Sequence, residues 1–324
     1  MDKQILVSVD KVGRHYGALT AVHEISFYLN RGEVLGFLGA NGAGKSTTMN
    51  MLCGVLAPSH GTITVAGHDI VKDCIEAKRQ LGYLPEQPPL YRDLSVDEYL
   101  DYCARLRQVP KAQRRKRISE IKKRCGLSEV GRRIIGQLSK GYQQRVGIAQ
   151  AIVHLPALIV LDEPTVGLDP VQIREIRALI RDLAQDHGII LSTHILPEVQ
   201  AVCDRVQILD NGRIVFADDI AALSARMSAK TLLLSVRAEP DHNALLDIDG
   251  VIAVKRVGEG RFQLEIDDAN NPAERVAEYT VINRLGLYEL IPRQMDLEQV
   301  FVDITTNDNA LHPEGTLHPE GTSP

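Results

Sequence analysis

The apolar run Val34-Leu35-Gly36-Phe37-Leu38 opens directly into Gly39-Ala40-Asn41-Gly42-Ala43-Gly44-Lys45-Ser46-Thr47, and this junction limits the fold more than any other feature of the chain. A strand that is apolar on both faces belongs in the middle of a sheet covered on both sides. The glycines that follow let the backbone curl until several N–H groups face one point, which suits a phosphate. A helical pattern from Lys45 to about Leu56 then brings its positive dipole end to the same point. Strand, glycine loop and helix in that order, with G-x-x-x-x-G-K-[ST] spacing, predict a nucleotide phosphate site. Lys45 would reach the β- and γ-phosphates, and Ser46 would ligate Mg²⁺.

The rest of the chain alternates in the way this junction demands. Ile5–Val9 and Ile25–Leu29 read as strands before the loop. After it come a strand at Ala157–Leu161, a helix over 171–187, a strand at Gly188–Ser192, a helix near 196–202 and a strand at Arg205–Leu209. This predicts a mainly parallel α/β sheet. Between these parts, 92–154 reads as an inserted helical subdomain. Ser95-Val96-Asp97-Glu98 has capping-box spacing and opens a helix over 96–107. A second helix over 111–125 is strongly basic, with Ile118, Ile121 and Cys125 as its buried stripe.

Beyond about residue 225 the pattern changes to a small α+β unit. It has a strand at Thr231–Val236, a short helix at Asp241–Leu246, and a hairpin of Val251–Val257 with Arg261–Ile266. A helix over 272–285, a strand at Tyr288–Ile291 and a final helix from Asp296 complete it. The expected division is 1–225, 226–305 and a disordered tail at 306–324, where Leu-His-Pro-Glu-Gly-Thr occurs twice.

Composition excludes several classes. The net charge of -5 argues against a global nucleic-acid binder, and no nucleic-acid partner is expected. The basic helix 111–124 reads first as a solvated face and next as a headgroup-facing one. Five scattered cysteines without a C-x-x-C pair suggest reduced thiols. The apolar runs fall well short of the roughly 20 residues a spanning helix needs, so any membrane-spanning chains are expected to be separate. His154, His312 and His318 give weak signals for catalysis or metal binding.

The second acidic site is the strand end Asp162-Glu163. There Asp162 suits a magnesium position, and Glu163 would lie near the γ-phosphate and polarise the attacking water. Ser139 stands where a helix should begin, so its hydroxyl and the neighbouring N–H groups predict a further anion site.

Together Leu138-Ser139-Lys140-Gly141-Tyr142-Gln143-Gln144-Arg145 and Asp162-Glu163-Pro164-Thr165 resemble the signature and acidic motifs of ABC ATPases. The resemblance covers about residues 3–220, with six motifs in the family's order. It implies a P-loop NTPase fold and ATP hydrolysis with Mg²⁺, with catalytic roles for Lys45, Glu163 and His194. It also implies that Tyr16 stacks on adenine and that Gly167-Leu168-Asp169 forms the D-loop. Ser139 and Gly141 would contact the γ-phosphate held by a second ATPase subunit, a homodimer being the expected form. Lys140 and Tyr142 replace the commoner Gly and Gln. Glu86 stands where a glutamine is usual, with Gln87 one place later, and either can approach the metal. These departures resemble the type-2 exporter branch, including its gliding-motility and copper-site-maturation members. That branch implies transmembrane permease partners and a peripheral location on the cytoplasmic face of the membrane. A soluble ATPase acting on ribosomes or DNA is the alternative.

Overall fold

The computed structural model describes residues 4–226, 231–267 and 272–293, and in it Val34–Leu38 is a strand with all five residues buried. It lies inside a six-stranded sheet. Across that sheet the order is Arg213–Asp219, Arg205–Asp210, Val34–Leu38, Gly188–Thr193, Leu158–Asp162 and Leu81–Leu84. All neighbours are parallel except the edge pair Arg213–Asp219 and Arg205–Asp210. Leu158–Asp162 and Gly188–Thr193 are also buried throughout, as their near-continuous apolar sequence requires. Each Leu, Ile or Phe side chain buried this way contributes roughly 1.5–3 kcal/mol.

A second sheet is antiparallel, in the order Leu19–Asn30, Ile5–Tyr16, His60–Val65 and His68–Asp69. Its apolar face, with Val7, Val9 and Leu29, shares one core with Phe37 of the central strand and with Met49 and Leu52 of the helix Lys45–Leu52. That helix is shorter than expected. It stops at Leu52, and Gly54 follows with φ +61°, a left-handed ending that glycine adopts without strain. The helix predicted over 171–187 runs Pro170–Leu183, because Asp169 caps its start and the chain turns at Ala184–His187 to enter the next strand.

Three helices, Val96–Leu106, Lys111–Arg124 and Lys140–Ile152, interrupt the sheet pattern. The first begins at the capping box read from the sequence. Ser95 Oγ accepts from Glu98 N (3.3 Å), and the Glu98 carboxylate accepts from Ser95 N (2.9 Å). On the basic helix, Ile118, Ile121 and the following Cys125 are buried.

The described residues divide into two compact units, one up to Ile220 and one from Ala221 on. The second contains a separate antiparallel sheet in the order Val251–Gly258, Arg261–Ile266, Thr231–Val236 and Leu287–Arg293, with the helices His242–Leu246 and Ala273–Ile282. Its own core includes Leu232, Leu234, Phe262, Leu264 and Val276. The helix expected from Asp296 and the tail at 306–324 lie outside the described residues.

Candidate functional site

Three strands of the central sheet end on the same edge, and each releases one piece of chemistry there. Val34–Leu38 leads into the glycine loop, Leu158–Asp162 into Glu163, and Gly188–Thr193 into His194. The carboxyl edge of a parallel sheet is where α/β proteins receive ligands. A cavity of about 300 Å³ opens at this edge, and Asn41, Gly42, Gly44, Lys45, Ser46 and Thr47 line one side of it. Glu86, Glu163 and His194 line the other.

The loop sits tight against its surroundings. Gly44 caps the helix with φ +102°, in a region closed to most side chains. A Cβ on Gly39 would come within 2.5 Å of the Leu209 carbonyl oxygen, and one on Gly44 within 2.8 Å of the Ala21 carbonyl oxygen. Ala40 and Ala43 complete the curl, with Ala43 N donating to Ala40 O at 3.2 Å. Lys45 is buried, and its ammonium donates to the carbonyl oxygens of Gly39 (2.8 Å) and Ala40 (3.1 Å). It also stands 3.7 Å from the Glu163 carboxylate.

Glu163 is buried and has φ +49°, an uncommon backbone state for a residue with a side chain. Its N–H donates to the main-chain oxygen of Ser192 (3.1 Å) and to the Ser192 hydroxyl (3.2 Å). Its carboxylate meets Nδ1 of His194 at 3.0 Å. A carboxylate between an ammonium and an imidazole can take a proton from water at the cavity mouth, while the cation and the loop N–H groups hold anionic oxygens.

Asp162 lies behind this pair. Burial raises its carboxyl pKa, hydrogen bonds from Ser192 and Ser46 oppose the rise, and the nearby Glu86 carboxylate reinforces it. A hard divalent cation fits these hydroxyl and carboxylate oxygens, since its charge would offset what raises Asp162. Among the described residues no three His, Cys, Asp or Glu side chains form a metal cluster, so the remaining ligands would be phosphate oxygens and water. Glu86 lines both the phosphate cavity and a neighbouring one of about 490 Å³, whereas Gln87 lines the neighbouring one alone.

The other sequence-predicted residues stand elsewhere. Ser139 caps the helix Lys140–Ile152, its hydroxyl accepting from Tyr142 N at 3.4 Å, and both Ser139 and Lys140 are exposed. Gly141 is buried, with the Gln172 side chain where a Cβ would be. Asp169 is exposed and caps the next helix, accepting from Val171 N (2.9 Å) and Gln172 N (3.0 Å). Tyr16 does not line the phosphate cavity. It is exposed, and the Arg14 guanidinium lies 4.7 Å over its ring. Sequence reasoning missed Ser192, Thr165, Thr193 and Glu198, which hold the acidic strand end in place. The Ser192–Glu163 and Thr165–Glu198 contacts join segments about thirty residues apart, and the five-residue step from Thr193 to Glu198 fits no common capping pattern.

A family model described as ABC transporter matches residues 22–166. The linearmycin resistance ATP-binding protein LnrL of Bacillus subtilis is 31% identical, over 93% of this chain and 98% of that protein. The bacitracin transport ATP-binding protein BcrA of Bacillus licheniformis is 36% identical, over 65% of this chain and 68% of that one. Among solved structures, cbiO1 of Clostridium perfringens, part of the ABC transporter complex cbiONQ, superposes with a TM-score of 0.64. It is 30% identical and covers 69% of this chain and 92% of its own.

Proposed function

This chain belongs to the ABC transporter family as an ATP-binding, ATP-hydrolysing protein, and from that premise we propose that it drives export by separate membrane-spanning subunits. The observation that carries the reading is the Glu163 carboxylate, set 3.7 Å from the Lys45 ammonium and 3.0 Å from His194 at the phosphate cavity. In this reading Lys45 and the N–H groups of Asn41–Thr47 hold the β- and γ-phosphates. Glu163 takes the proton of the attacking water, and His194 orients Glu163 and the γ-phosphate. Ser46, Asp162 and Glu86 would hold Mg²⁺, which when bound offsets charge on the phosphate oxygens. Glu86 is assigned ahead of Gln87 because it borders the phosphate cavity.

Ser139, Gly141 and Asp169 face solvent or a neighbouring helix and do not line that cavity, which supports their service to a second ATPase subunit. Two copies would enclose two ATP molecules, Tyr16 stacking on adenine once it leaves Arg14. The permease partners would dock where apolar side chains stand exposed among cations. Ile75 and Leu106, with Lys78, Arg79 and Arg107, line a cavity of about 450 Å³ that suits a short helix carrying apolar and acidic residues. Tyr91, edge-on to Tyr99 and tilted against Tyr102 with ring centroids 6.0 and 5.4 Å apart, offers a second contact. No helix among the described residues is long and apolar enough to cross a membrane, in keeping with a peripheral subunit at the cytoplasmic face.

The finer assignment, to the type-2 exporter branch with its gliding-motility and copper-site-maturation kinds, rests on Lys140, Tyr142 and Glu86. A transport role also agrees with the names of LnrL, a linearmycin resistance ATP-binding protein, and BcrA, a bacitracin transport ATP-binding protein. The α+β unit after residue 221 is read as regulatory or dimer-stabilising. Co-purification of the full chain with a polytopic membrane protein, lost in Leu106→Asp, is the expected result. Recovery with ribosomes, unaffected by Leu106→Asp, would favour the soluble alternative.

A further inference from the structure

Behind the Glu163–His194 pair lies a carboxylate that the reaction itself does not use. Glu198, on the short helix Leu196–Val202, is 1% exposed. One of its oxygens accepts from the Thr165 hydroxyl, and the other accepts from the Thr193 hydroxyl at 2.8 Å. Thr193 Oγ1 in turn accepts from Ile195 N at 3.1 Å, so its hydroxyl hydrogen is directed at Glu198. Thr165 and Thr193 are themselves buried. Thr165 lies two residues after Glu163, and Thr193 immediately precedes His194.

We infer that Glu198 is a positioning residue for hydrolysis, tying the segment that leaves Glu163 to the strand end that presents His194. The inference rests on the reading of Glu163 and His194 given above. Glu163 needs such support, because its left-handed backbone persists only where the surroundings fix it. Ser192 holds it from the amino side through two acceptors on its N–H. Glu198 holds it from the carboxyl side through Thr165. His194 is 44% exposed at its side chain and can swing, so its 3.0 Å approach to Glu163 depends on where Thr193 fixes the backbone.

The chemistry of the link is specific. A carboxylate offers acceptors on both oxygens, and two hydroxyl donors use them. A carboxamide of the same shape offers one acceptor and one donor group. Glu198→Gln therefore fills the same volume but forces one hydroxyl to turn round and accept from the amide, replacing two bonds to a carboxylate with weaker bonds to a neutral group.

The test measures ATP turnover, KM, affinity for a fluorescent ATP analogue and melting temperature in the full chain. Glu198→Gln is expected to lower kcat roughly 10- to 100-fold, the scale of a misplaced catalytic group, with affinity and melting temperature nearly unchanged. Thr193→Val should behave similarly, and Thr193→Ser, which restores the hydroxyl, should recover most of the loss. In a His194→Ala background, Glu198→Gln should add far less than it does alone. An unchanged kcat in Glu198→Gln would overturn the inference. So would a fall matched by lost affinity or melting temperature, which marks a packing role. Glu163→Gln in the same assay separates the two levels. Turnover retained there overturns the site reading and this inference with it, whereas turnover lost there but kept in Glu198→Gln overturns this inference alone.

Discussion

The two regions in residues 1–220 proposed to face phosphate are built in opposite ways. The loop Gly39–Thr47 and the strand end Asp162-Glu163 sit on a sheet whose strands are buried throughout, and their polar groups bond to one another. Ser139 and Lys140 stand exposed at a helix start, with the Ser139 hydroxyl occupied only by its own helix. The first region is complete within one chain. The second lies outside the phosphate cavity of its own chain, as the proposed second-subunit role requires. On the proposed reading a chain of this kind would hold half of each of two sites, and its activity would depend on concentration as well as on chemistry.

That contrast breaks first at Glu163. Glu163→Gln should cut turnover by roughly 10²–10⁴ while ATP still binds and still brings two chains together, as read by steady-state hydrolysis and size-exclusion chromatography. Near-normal hydrolysis would move the base elsewhere. Ser139→Gly tests the other half with little disturbance to the helix, since glycine keeps most of a cap's value. Turnover should fall by up to about 10²-fold, the effect of losing one oxyanion donor, with unchanged ATP affinity in the isolated chain. An affinity loss in the isolated chain would mean that Ser139 serves its own nucleotide.

Ser95→Ala sharpens the comparison by stability. The Ser95–Glu98 box starts the insertion that carries Ser139, and Val96 N and Asp97 N also bond back to Arg133 O and Gly131 O. Its loss should cost about 1 kcal/mol and raise amide exchange across 95–138, leaving exchange in Gly39–Leu52 unchanged. The last effect concerns acid. His154, just beyond the helix Lys140–Ile152, is pushed down to about 4 from its ordinary 6.5 by burial, and Arg107 adds to the shift. A depressed histidine favours the folded state above its unfolded pKa, and that contribution is lost as pH falls from 6.5 towards 4. His154→Gln should flatten this part of a melting-temperature profile.

The loop, its strand and its helix were legible in the sequence because each obeys a local rule of glycine, buried run or cap. So were Ser95 and Ser139 as helix starts, from a hydroxyl at the right offset. The long pair Ile5–Tyr16 and Leu19–Asn30 is legible only at its apolar end, Ile5–Val9 with Ile25–Leu29. The outer parts carry His15, Tyr16, Leu19 and Thr20 with no inward face, and the pairing is broken by bulges. The edge strand Leu81–Leu84 was passed over because four residues hold too little pattern. Glu198 was invisible for another reason. A glutamate on a short helix reads as solvent-facing, and its partners at 165 and 193 meet it only in the folded chain.

The backing of the phosphate loop has a mechanical side. The Leu209 and Ala21 carbonyls stand where Gly39 and Gly44 would carry a Cβ, so the loop is braced against a strand of each sheet. Such a loop cannot act as a flap. Load placed on it by a bound triphosphate would be carried by the strands of Leu209 and Ala21 rather than taken up by movement of the loop.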